Sequence, residues 1–485
     1  MNRPIRVLAV GCLLLFAMLL VNVNYVQVLQ AGELNDRDRN KRARDAECSR
    51  ERGPILVDGA TVARSVPSED DLEFLRQYTE PQLYAPVTGF FSCIYGTSAV
   101  ENSENSILSG SDPSLFVRRM IDMVGNEQPK GGSVLLTIDP LAQRAAYAGL
   151  EALPGETRGA VAALDPDTGA ILAMVSTPTY DPNRLATHDA AAAGEAWTQL
   201  NESDAKVMLN RASQEIYPPG STFKLVTAAA ALSNNYTPDT IVRGGTRLDL
   251  PQTESDLHNA NGSNCGGKQI TLTRALAVSC NVAFGDLGLK LGAETLQQQA
   301  EQFGFNEDVF DQLPAAESRF PSDIDEPSTA FSAIGQFDVA ASPLQMAMVS
   351  AGIANGGAVM RPYVVQRVRS PDLDVLEEAD PEVLHQAVSE SVADDLTEMM
   401  VEVVENGTAE EVAISDVLVA GKTGTANSAA ERSPYAWMVT FAPADDPEVA
   451  VAVLVEQTDI ERKGISGGGL AGPIALDVMQ AVMEQ

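Results

Sequence analysis

Aliphatic, strand-like sequence stands at both ends of the larger, C-terminal part of this chain, with Ala-rich, helix-favouring sequence between. Near its start, the aliphatic runs at 160–164 and 170–175 flank Asp-Pro-Asp-Thr-Gly, which predicts a β-hairpin. Near its end, VLVAGKTGTA, YAWMVTFAP and VAVAVLVE predict three more strands, and a helix is expected from about Ala471. The segments at about 195–300 and 340–405 are predicted to be mainly helical. Together these predict an α+β fold in which helices cover an antiparallel sheet.

The N-terminal sequence predicts a membrane-spanning segment. Arg3 and Arg6 precede an apolar run at 7–21 that continues more weakly to about residue 29. This pattern is that of a secretory signal peptide or of a single membrane anchor. The run ends without a small-x-small cleavage site, which favours an uncleaved anchor, and Cys12 lies too early in it for a lipoprotein site. Basic residues follow the run, so the positive-inside rule alone would keep that end in the cytoplasm.

Between the anchor and the predicted hairpin, the sequence indicates a second, smaller domain. Residues 30–50 are charged and predict a stalk or the start of a helix. The segment RGPILVDGATVA predicts two short strands joined by a turn at Asp58-Gly59. The expected organisation is an anchor at 1–29, a small mixed, non-catalytic domain with a linker at 30–150, and the main domain at 151–485.

Composition argues against several classes of function. The chain has 67 acidic and 33 basic side chains, and its net charge of −34 repels phosphate backbones, so no nucleic-acid partner is expected. Its three His residues form neither an HExxH motif nor a cluster, which argues against a zinc hydrolase and a His-based triad. We expect no metal or other cofactor.

Four cysteines lie outside the predicted anchor, and an even number in an exported protein allows three pairings. A bond between Cys265 and Cys280 would close a loop beside a candidate catalytic segment. Cys48 and Cys93 would then form the second bond. Four reduced thiols remain the alternative.

The segment YPPGSTFKLVTAAAAL places a serine near a lysine. Pro218, Pro219 and Gly220 cannot continue a helix, so Ser221 is expected at or just inside the N-terminus of a buried helix. Lys224 lies one turn later on the same face, and a desolvated ammonium loses its proton more readily and becomes a base. Taken alone, Ser-x-x-Lys also fits a serine N-cap followed by a lysine whose charged end reaches solvent.

Two further segments carry candidate binding groups. Ser279 and Asn281 interrupt an apolar helical stretch as Ser-x-Asn, which alone would be an ordinary helix junction. The aliphatic strand VLVAG leads to Lys422, Thr423, Gly424 and Thr425. The lysine and the two hydroxyls can bind an anion, and the glycine permits a ligand to approach the strand. Alone, this segment would be a turn with a solvated lysine.

In combination the three motifs are far more specific. SxxK, SxN and KTG in this order resemble the active-site motifs of penicillin-binding proteins and class A β-lactamases. Further segments resemble parts of class B penicillin-binding proteins, over about residues 52–480. They are the hairpin, RGPILVDG, GTSAVENSENSILSG, AIGQFDVAASPLQMAMVSAGIANGG and GGGLAGPIALDVM. By this resemblance the chain is identified as a member of that family, and it is most similar to the actinobacterial members.

The resemblance implies a peptidoglycan D,D-transpeptidase that uses a serine acyl-enzyme and is inhibited by β-lactams. Ser221 would be the acylated nucleophile and Lys224 its general base. Ser279 would relay a proton to the departing amine, with Lys224 and Lys422 setting the local charge. Asn281 would hold the backbone amide of the donor, a stem peptide ending in D-Ala-D-Ala.

The resemblance also implies how the donor binds and where the protein works. Lys422, Thr423 and Thr425 would hold the donor's terminal carboxylate, and the N–H groups of Ser221 and Thr425 would form the oxyanion hole. The catalytic domain is expected outside the cytoplasm on a single-pass anchor in the cell membrane. A membrane-embedded glycan polymerase and other division proteins are the expected partners, in cell wall synthesis at the division septum.

Two departures from the family pattern stand out. The family's Gly-Gln-Gly block reads Gly335-Gln336-Phe337 here, and Cys280 stands where class A β-lactamases carry Asp.

Other readings of the same motifs are a β-lactamase, a D,D-carboxypeptidase with water as acceptor, and a non-enzymatic β-lactam receptor or scaffold. The anchor and the extra domain argue against a β-lactamase. A D,D-carboxypeptidase usually resembles different families, with other appended domains, which argues against the second reading. The intact Ser221, Lys224 and Lys422 argue against the third. The N-terminal region is too short for the glycosyltransferase domain of a bifunctional enzyme.

Overall fold

The computed structural model describes residues 3–26, 47–115, 130–426 and 433–484. Helix α1 (Arg3–Asn24) is apolar, with a mean hydropathy of 2.4 over Ile5–Asn24. At 1.5 Å per residue its length is about 33 Å, which is long enough to cross a bilayer. The stalk or helix start expected at 30–50 lies mostly outside the described residues.

The next part of the chain forms short strands and helices, of which the first two strands meet at the expected turn. Asp58 and Gly59 both have positive φ angles, 46° and 74°, as a two-residue hairpin turn requires. The elements are β1 (Ile55–Val57), β2 (Ala60–Pro67), β3 (Phe74–Tyr78), α2 (Pro81–Thr88), β4 (Phe91–Ser92), β5 (Gly96–Thr97), α3 (Ala99–Ser103), α4 (Asn105–Leu108) and β6 (Ser133–Leu136).

The remaining elements are α5 (Pro140–Glu151), β7 (Arg158–Leu164), β8 (Ile171–Thr177), α6 (Asn183–Ala186), α7 (Ala190–Asn201), α8 (Lys224–Ser233), β9 (Ile241–Arg243), β10 (Arg247–Asp249), β11 (Asp256–His258), β12 (Gln269–Thr271), α9 (Leu272–Ala277), α10 (Asn281–Leu291), α11 (Ala293–Gln302), α12 (Glu326–Ser332), α13 (Pro343–Ala354), β13 (Ala358–Met360), β14 (Val365–Arg369), β15 (Val375–Glu378), β16 (Val383–Gln386), α14 (Glu390–Asn406), β17 (Ala420–Ala426), β18 (Tyr435–Ala442), β19 (Val449–Gln457) and α15 (Gly472–Met483).

The main sheet has five antiparallel strands in the order β17-β18-β19-β7-β8. Strands from the two ends of the region are therefore joined between β19 and β7, as the sequence predicts. Helices α5 and α15 pack on each other and on the sheet, and α13 packs on β7 and β19. Nearly every residue of β18 and β19 is buried, which shows that both faces are covered. The predicted α+β architecture is confirmed.

The second sheet has six strands in the order β15-β14-β6-β1-β2-β3, so two of its strands come from within the larger, C-terminal region. The prediction of mainly helical sequence is wrong at 358–386, where β13 to β16 lie, and at 241–271, where β9 to β12 form two short pairs. These strands have three to five residues each. Such runs are too short to show a period of their own, and their pairing depends on distant partners.

The second sheet is held to its neighbouring helices by a buried ionic cluster. The Glu101 carboxylate accepts from Arg52 Nε at 2.5 Å and from Arg76 Nε at 2.6 Å, and all three side chains are almost completely buried. Burial alone would raise the pKa of Glu101, but the positive charges of Arg76 and Arg52 overcome this and lower it. The cluster ties α3 to β3 and to the residues before β1.

Both disulfides expected from the sequence are present, Cys48–Cys93 and Cys265–Cys280. The first lies in the N-terminal region. The second joins the loop after β11 to the residue that precedes α10. It thus lies directly beside the Ser-x-Asn motif.

Candidate active site

Ser221 lies in a tight turn that leads directly into α8. The turn is a 3-10 helix over Gly220–Phe223, and Gly220 has a φ of +55°, which favours glycine. Gly220 N donates to the Gly335 carbonyl at 2.9 Å, and Trp437 Nε1 donates to the Pro218 carbonyl at 3.0 Å. The prediction that Ser221 lies at the N-terminus of a buried helix is therefore confirmed, with the turn fixed from two sides.

Lys224 is fully buried and its ammonium nitrogen is surrounded by oxygen atoms. Nζ lies 3.1 Å from Ser221 Oγ, 3.2 Å from Ser279 Oγ and 2.7 Å from Asn281 Oδ1. It also donates to the Ser279 carbonyl at 2.7 Å. Burial, and then the charge of Lys422, lowers the pKa of Lys224 well below the usual lysine value. An amine with a lowered pKa can accept a proton from Ser221.

The Ser-x-Asn motif lies in the connection between α9 and α10. Ser279 has a φ of 57°, in the left-handed region that a serine rarely adopts. Asn281 is the first residue of α10, and its Nδ2 donates to the His258 carbonyl at 3.0 Å. The disulfide at Cys280 ties this connection to the loop after β11. Both motif side chains are thereby directed toward Lys224.

Lys422 reaches the same cluster from β17, the edge strand of the main sheet. Its side chain is fully buried, and Nζ donates to Ser279 Oγ at 3.0 Å and to the Thr423 carbonyl at 2.9 Å. Burial lowers the pKa of Lys422 to about 7. The serine, both lysines and the Ser-x-Asn motif thus converge in one cluster.

The rest of the β17 motif lines the cleft. Thr423 Oγ1 lies 2.6 Å from Thr408 Oγ1, and Thr425 Oγ1 accepts from Gly467 N at 3.3 Å. A side chain at Gly424 would meet Thr222 and the Pro219 carbonyl within 3.0 Å. The absence of a side chain at Gly424 therefore lets β17 pack closely on the serine turn.

Two cavities meet at Ser221 and Thr425. One, of about 250 Å³, is also lined by Asn281, His258 and Gln336. The other, of about 370 Å³, extends along β17 and is also lined by Thr408, Thr423, Glu411 and Ser466. A chain that crosses Ser221 can thus extend to both sides.

Several lining residues were missed by sequence reasoning. His258 and Thr408 carry no local pattern that marks them, because tertiary pairing alone brings them to the cleft. Gln336 and Ser466 could have been found, since they lie in or beside the segments AIGQFDVAAS and GGGLAGP. Phe337 itself is exposed and lines neither cavity.

The arrangement supports nucleophilic catalysis by a serine. The amine of Lys224, whose pKa is lowered by burial, lies within hydrogen-bonding distance of Ser221, and Ser279 bridges that amine to Lys422. Within the described ranges, no group of three or more His, Cys, Asp or Glu side chains is placed to hold a metal ion. An activated hydroxyl beside a cation and two threonine hydroxyls suits acyl transfer from a donor that bears a carboxylate.

Comparisons with known proteins agree with this chemistry. Residues 159–480 match the model of the penicillin binding protein transpeptidase domain, and residues 52–134 match the penicillin binding protein A dimerisation domain. The peptidoglycan D,D-transpeptidase PbpA of Mycolicibacterium smegmatis is 43% identical over the whole of both chains. The protein of the same name from Mycobacterium tuberculosis is 41% identical over 100% of this chain and 99% of its own.

Solved structures show the same similarity in three dimensions. The ceftriaxone acyl-enzyme complex of penicillin-binding protein A from M. tuberculosis superposes with a TM-score of 0.87 and 41% identity, covering 90% of this chain and all of the other. Its imipenem acyl-enzyme complex gives a TM-score of 0.86 and 42% identity at the same coverage.

Proposed function

Because the chain belongs to the penicillin-binding-protein transpeptidase family and is a serine-type peptidoglycan D,D-transpeptidase, we propose that Ser221 is the residue that the donor acylates. The observation that carries the proposal is the 3.1 Å contact between Lys224 Nζ and Ser221 Oγ. Lys224 takes the hydroxyl proton as Ser221 Oγ attacks the carbonyl carbon between the two D-Ala residues. The pKa of Lys224, lowered by burial, makes the neutral amine available for this step.

The departing D-Ala must receive a proton on its nitrogen. Ser279 Oγ lies within hydrogen-bonding distance of both lysines, so it can pass the proton from Lys224 to the leaving amine. The positive charge of Lys422 weakens the hold of Lys224 on this proton, because two adjacent ammonium groups repel each other.

The donor binds across the turn that carries Ser221. Its terminal carboxylate binds Lys422, Thr423 and Thr425 along β17, where the two threonines line the larger cavity and the buried Lys422 supplies a cation beside it. One N–H of Asn281 Nδ2 binds the His258 carbonyl, which leaves the second for the donor's backbone amide. The N–H groups of Ser221 and Thr425 serve as the oxyanion hole.

In the second step an amine of a neighbouring stem peptide attacks the ester on Ser221 and forms a peptide cross-link. β-Lactams mimic the donor and remain bound to Ser221 as an acyl group.

The test is incubation of the full-length protein with a stem peptide ending in D-Ala-D-Ala and an excess of acceptor peptide. We expect release of D-Ala and formation of a peptide dimer, both lost in Ser221→Ala. Free tetrapeptide without dimer would instead indicate a D,D-carboxypeptidase, and neither product a non-enzymatic receptor or scaffold.

On this proposal the catalytic domain lies outside the cytoplasm, because its substrate, the cell wall, lies there. Helix α1 is the support, since it is long and apolar enough to hold the protein in the membrane as a single-pass anchor. A protease added to intact protoplasts should degrade everything after α1. Protection of the catalytic domain would contradict this orientation.

The setting of the reaction is proposed from family similarity. Two actinobacterial proteins named PbpA are 43% and 41% identical to this chain over its full length. This similarity supports a role in septal synthesis beside a membrane-embedded glycan polymerase and other division proteins. A fluorescent fusion should concentrate at the septum. Uniform labelling along the cell wall would count against this role.

A further inference from the structure

The three histidines of this chain differ in their surroundings. His188 Nδ1 lies 2.6 Å from Asp70, and His385 Nε2 lies 2.7 Å from Glu307, so both are paired with a carboxylate. His258 lies on the wall of the smaller cavity that it shares with Ser221. Within the part of the chain that the structure describes, its imidazole forms no hydrogen bond or ion pair. It is therefore available to a molecule in the cleft.

The hairpin of β10 and β11 fixes the position of His258. Leu248 and Leu257 face inward, 2% and 3% exposed, and pack against α10 at Gly285. The His258 carbonyl accepts from Asn281, the first residue of the same helix. The next residue, Asn259, is buried and accepts from the Val282 amide at 2.9 Å. The backbone of His258 is thus attached to the Ser-x-Asn motif.

Three charged side chains lie on the same short hairpin as His258. Arg247 is opposite His258 in the strand register and pairs with Asp249 at 3.3 Å and with Asp256 at 3.2 Å, and Asp256 also lines the cavity. The other walls of the cavity contribute Phe331, Ile334, Gln336 and Thr425, which carry no charge. The buried Lys224 contacts Asn281 Oδ1 at 2.7 Å. Among the described residues, no carboxylate forms an ion pair with His258.

The proposed transpeptidation needs one proton acceptor more than the serine cluster supplies. An acceptor amine arrives as an ammonium ion with three N–H protons, and the amide it forms keeps one. One of the other two returns to Ser221 Oγ through Lys224 and Ser279 as the C–N bond forms and the ester C–O bond breaks. The remaining proton must leave before attack, because an ammonium has no free electron pair.

We propose that His258 is a further catalytic residue that accepts this first proton from the incoming ammonium, so that the amine attacks the acyl-enzyme as the free base. This deepens the proposed function and rests on it. The imidazolium formed then releases its proton to water, so the overall step converts ester and ammonium into amide, free Ser221 and one proton. His258 takes no part in the first step, since the serine proton passes to Lys224.

The test separates the two steps in the full-length protein. A thioester of an N-acylated D-alanine serves as donor and glycinamide as acceptor amine, and chromatography gives the ratio of amide to hydrolysis product. In His258→Gln we expect this ratio to fall about tenfold or more at pH 7. Above a pH of about 9 the α-amino group is already neutral, so the deficit should nearly disappear. A merely structural role would give a deficit that does not depend on pH.

Two further measurements keep the result interpretable. His385→Gln removes a histidine that is paired with Glu307 and lies on β16, so its product ratio should match the unaltered protein. Labelling by a fluorescent penicillin reports acylation of Ser221 separately. An unchanged product ratio in His258→Gln, or equal losses of labelling and of amide formation, would overturn the proposal for His258. Failure of labelling in the unaltered protein would overturn the proposed function itself.

Discussion

Lys422 Nζ lies 3.0 Å from Ser279 Oγ, although 143 residues separate them in the chain. This contact joins an edge strand of the main sheet to the connection between two helices. It closes the cluster that begins at Ser221 and Lys224, because Lys224 contacts the same hydroxyl at 3.2 Å. The three motifs therefore act as one site.

Replacement of Lys224 by alanine should slow acylation by about 10²–10⁴-fold, the usual contribution of a general base. The reason is that no other described amine lies against Ser221 Oγ. The rate of reaction with a chromogenic β-lactam measures the effect. Lys463→Ala is the matched control, since that side chain is 86% exposed and should leave the rate unchanged. A loss in Lys224→Ala smaller than about tenfold would argue against its role as the base.

The reaction with a donor that bears a free carboxylate should decline as the pH rises through about 7. Burial lowers the pKa of Lys422 to about 7, so above that pH the lysine loses the charge that attracts the carboxylate. The rate constant kcat/KM, measured across the pH range, should fall there for the acid and not for the corresponding donor amide. A decline only near pH 10.5 would show that Lys422 keeps an ordinary lysine pKa.

Removal of the Cys265–Cys280 disulfide by double replacement with alanine should weaken both the fold and the site. The bond closes a loop with a sequence separation of 15, for which a loss of about 3 kcal/mol is expected. Acylation should also slow, because Cys280 stands between Ser279 and Asn281. Thermal melting and β-lactam labelling measure the two effects. The corresponding Cys48/Cys93 variant should lose stability without slower acylation.

Glu101→Gln should destabilise the six-stranded sheet by about 3–5 kcal/mol, because two buried arginines lose their counter-charge. Since the pKa of Glu101 is lowered on folding, its contribution is present above about pH 4.5 and is lost as the pH falls through the folded value. Denaturant melting at neutral and acidic pH measures both. Glu80→Gln, which breaks an exposed pair with Arg144, should cost less than about 1 kcal/mol.

Phe337→Gly should stabilise the protein by about 1 kcal/mol. Phe337 has a φ of 63° and is 58% exposed, so it carries the strain of a left-handed backbone without a buried contact in return. A higher melting temperature with unchanged β-lactam labelling is the expected result. A lower melting temperature would show that the exposed ring makes a stabilising contact.

Much of the fold and of the site could be predicted from local sequence. The turn before Ser221, the i+3 spacing to Lys224 and the aliphatic strand before Lys422 each act through residues that are neighbours in the chain. The pairing of β14 with β6 could not be predicted, because it joins residues more than 200 positions apart and β14 is only five residues long. Thr408 and His258 were missed for the same reason, since only tertiary contacts bring them to the cleft.

The most direct measurement of the central claim is mass spectrometry of the full-length protein after exposure to a β-lactam. We predict one adduct, mapped to the peptide that contains Ser221, and its absence in Ser221→Ala. An adduct on another residue, or one that persists in Ser221→Ala, would contradict the assignment of Ser221 as the nucleophile.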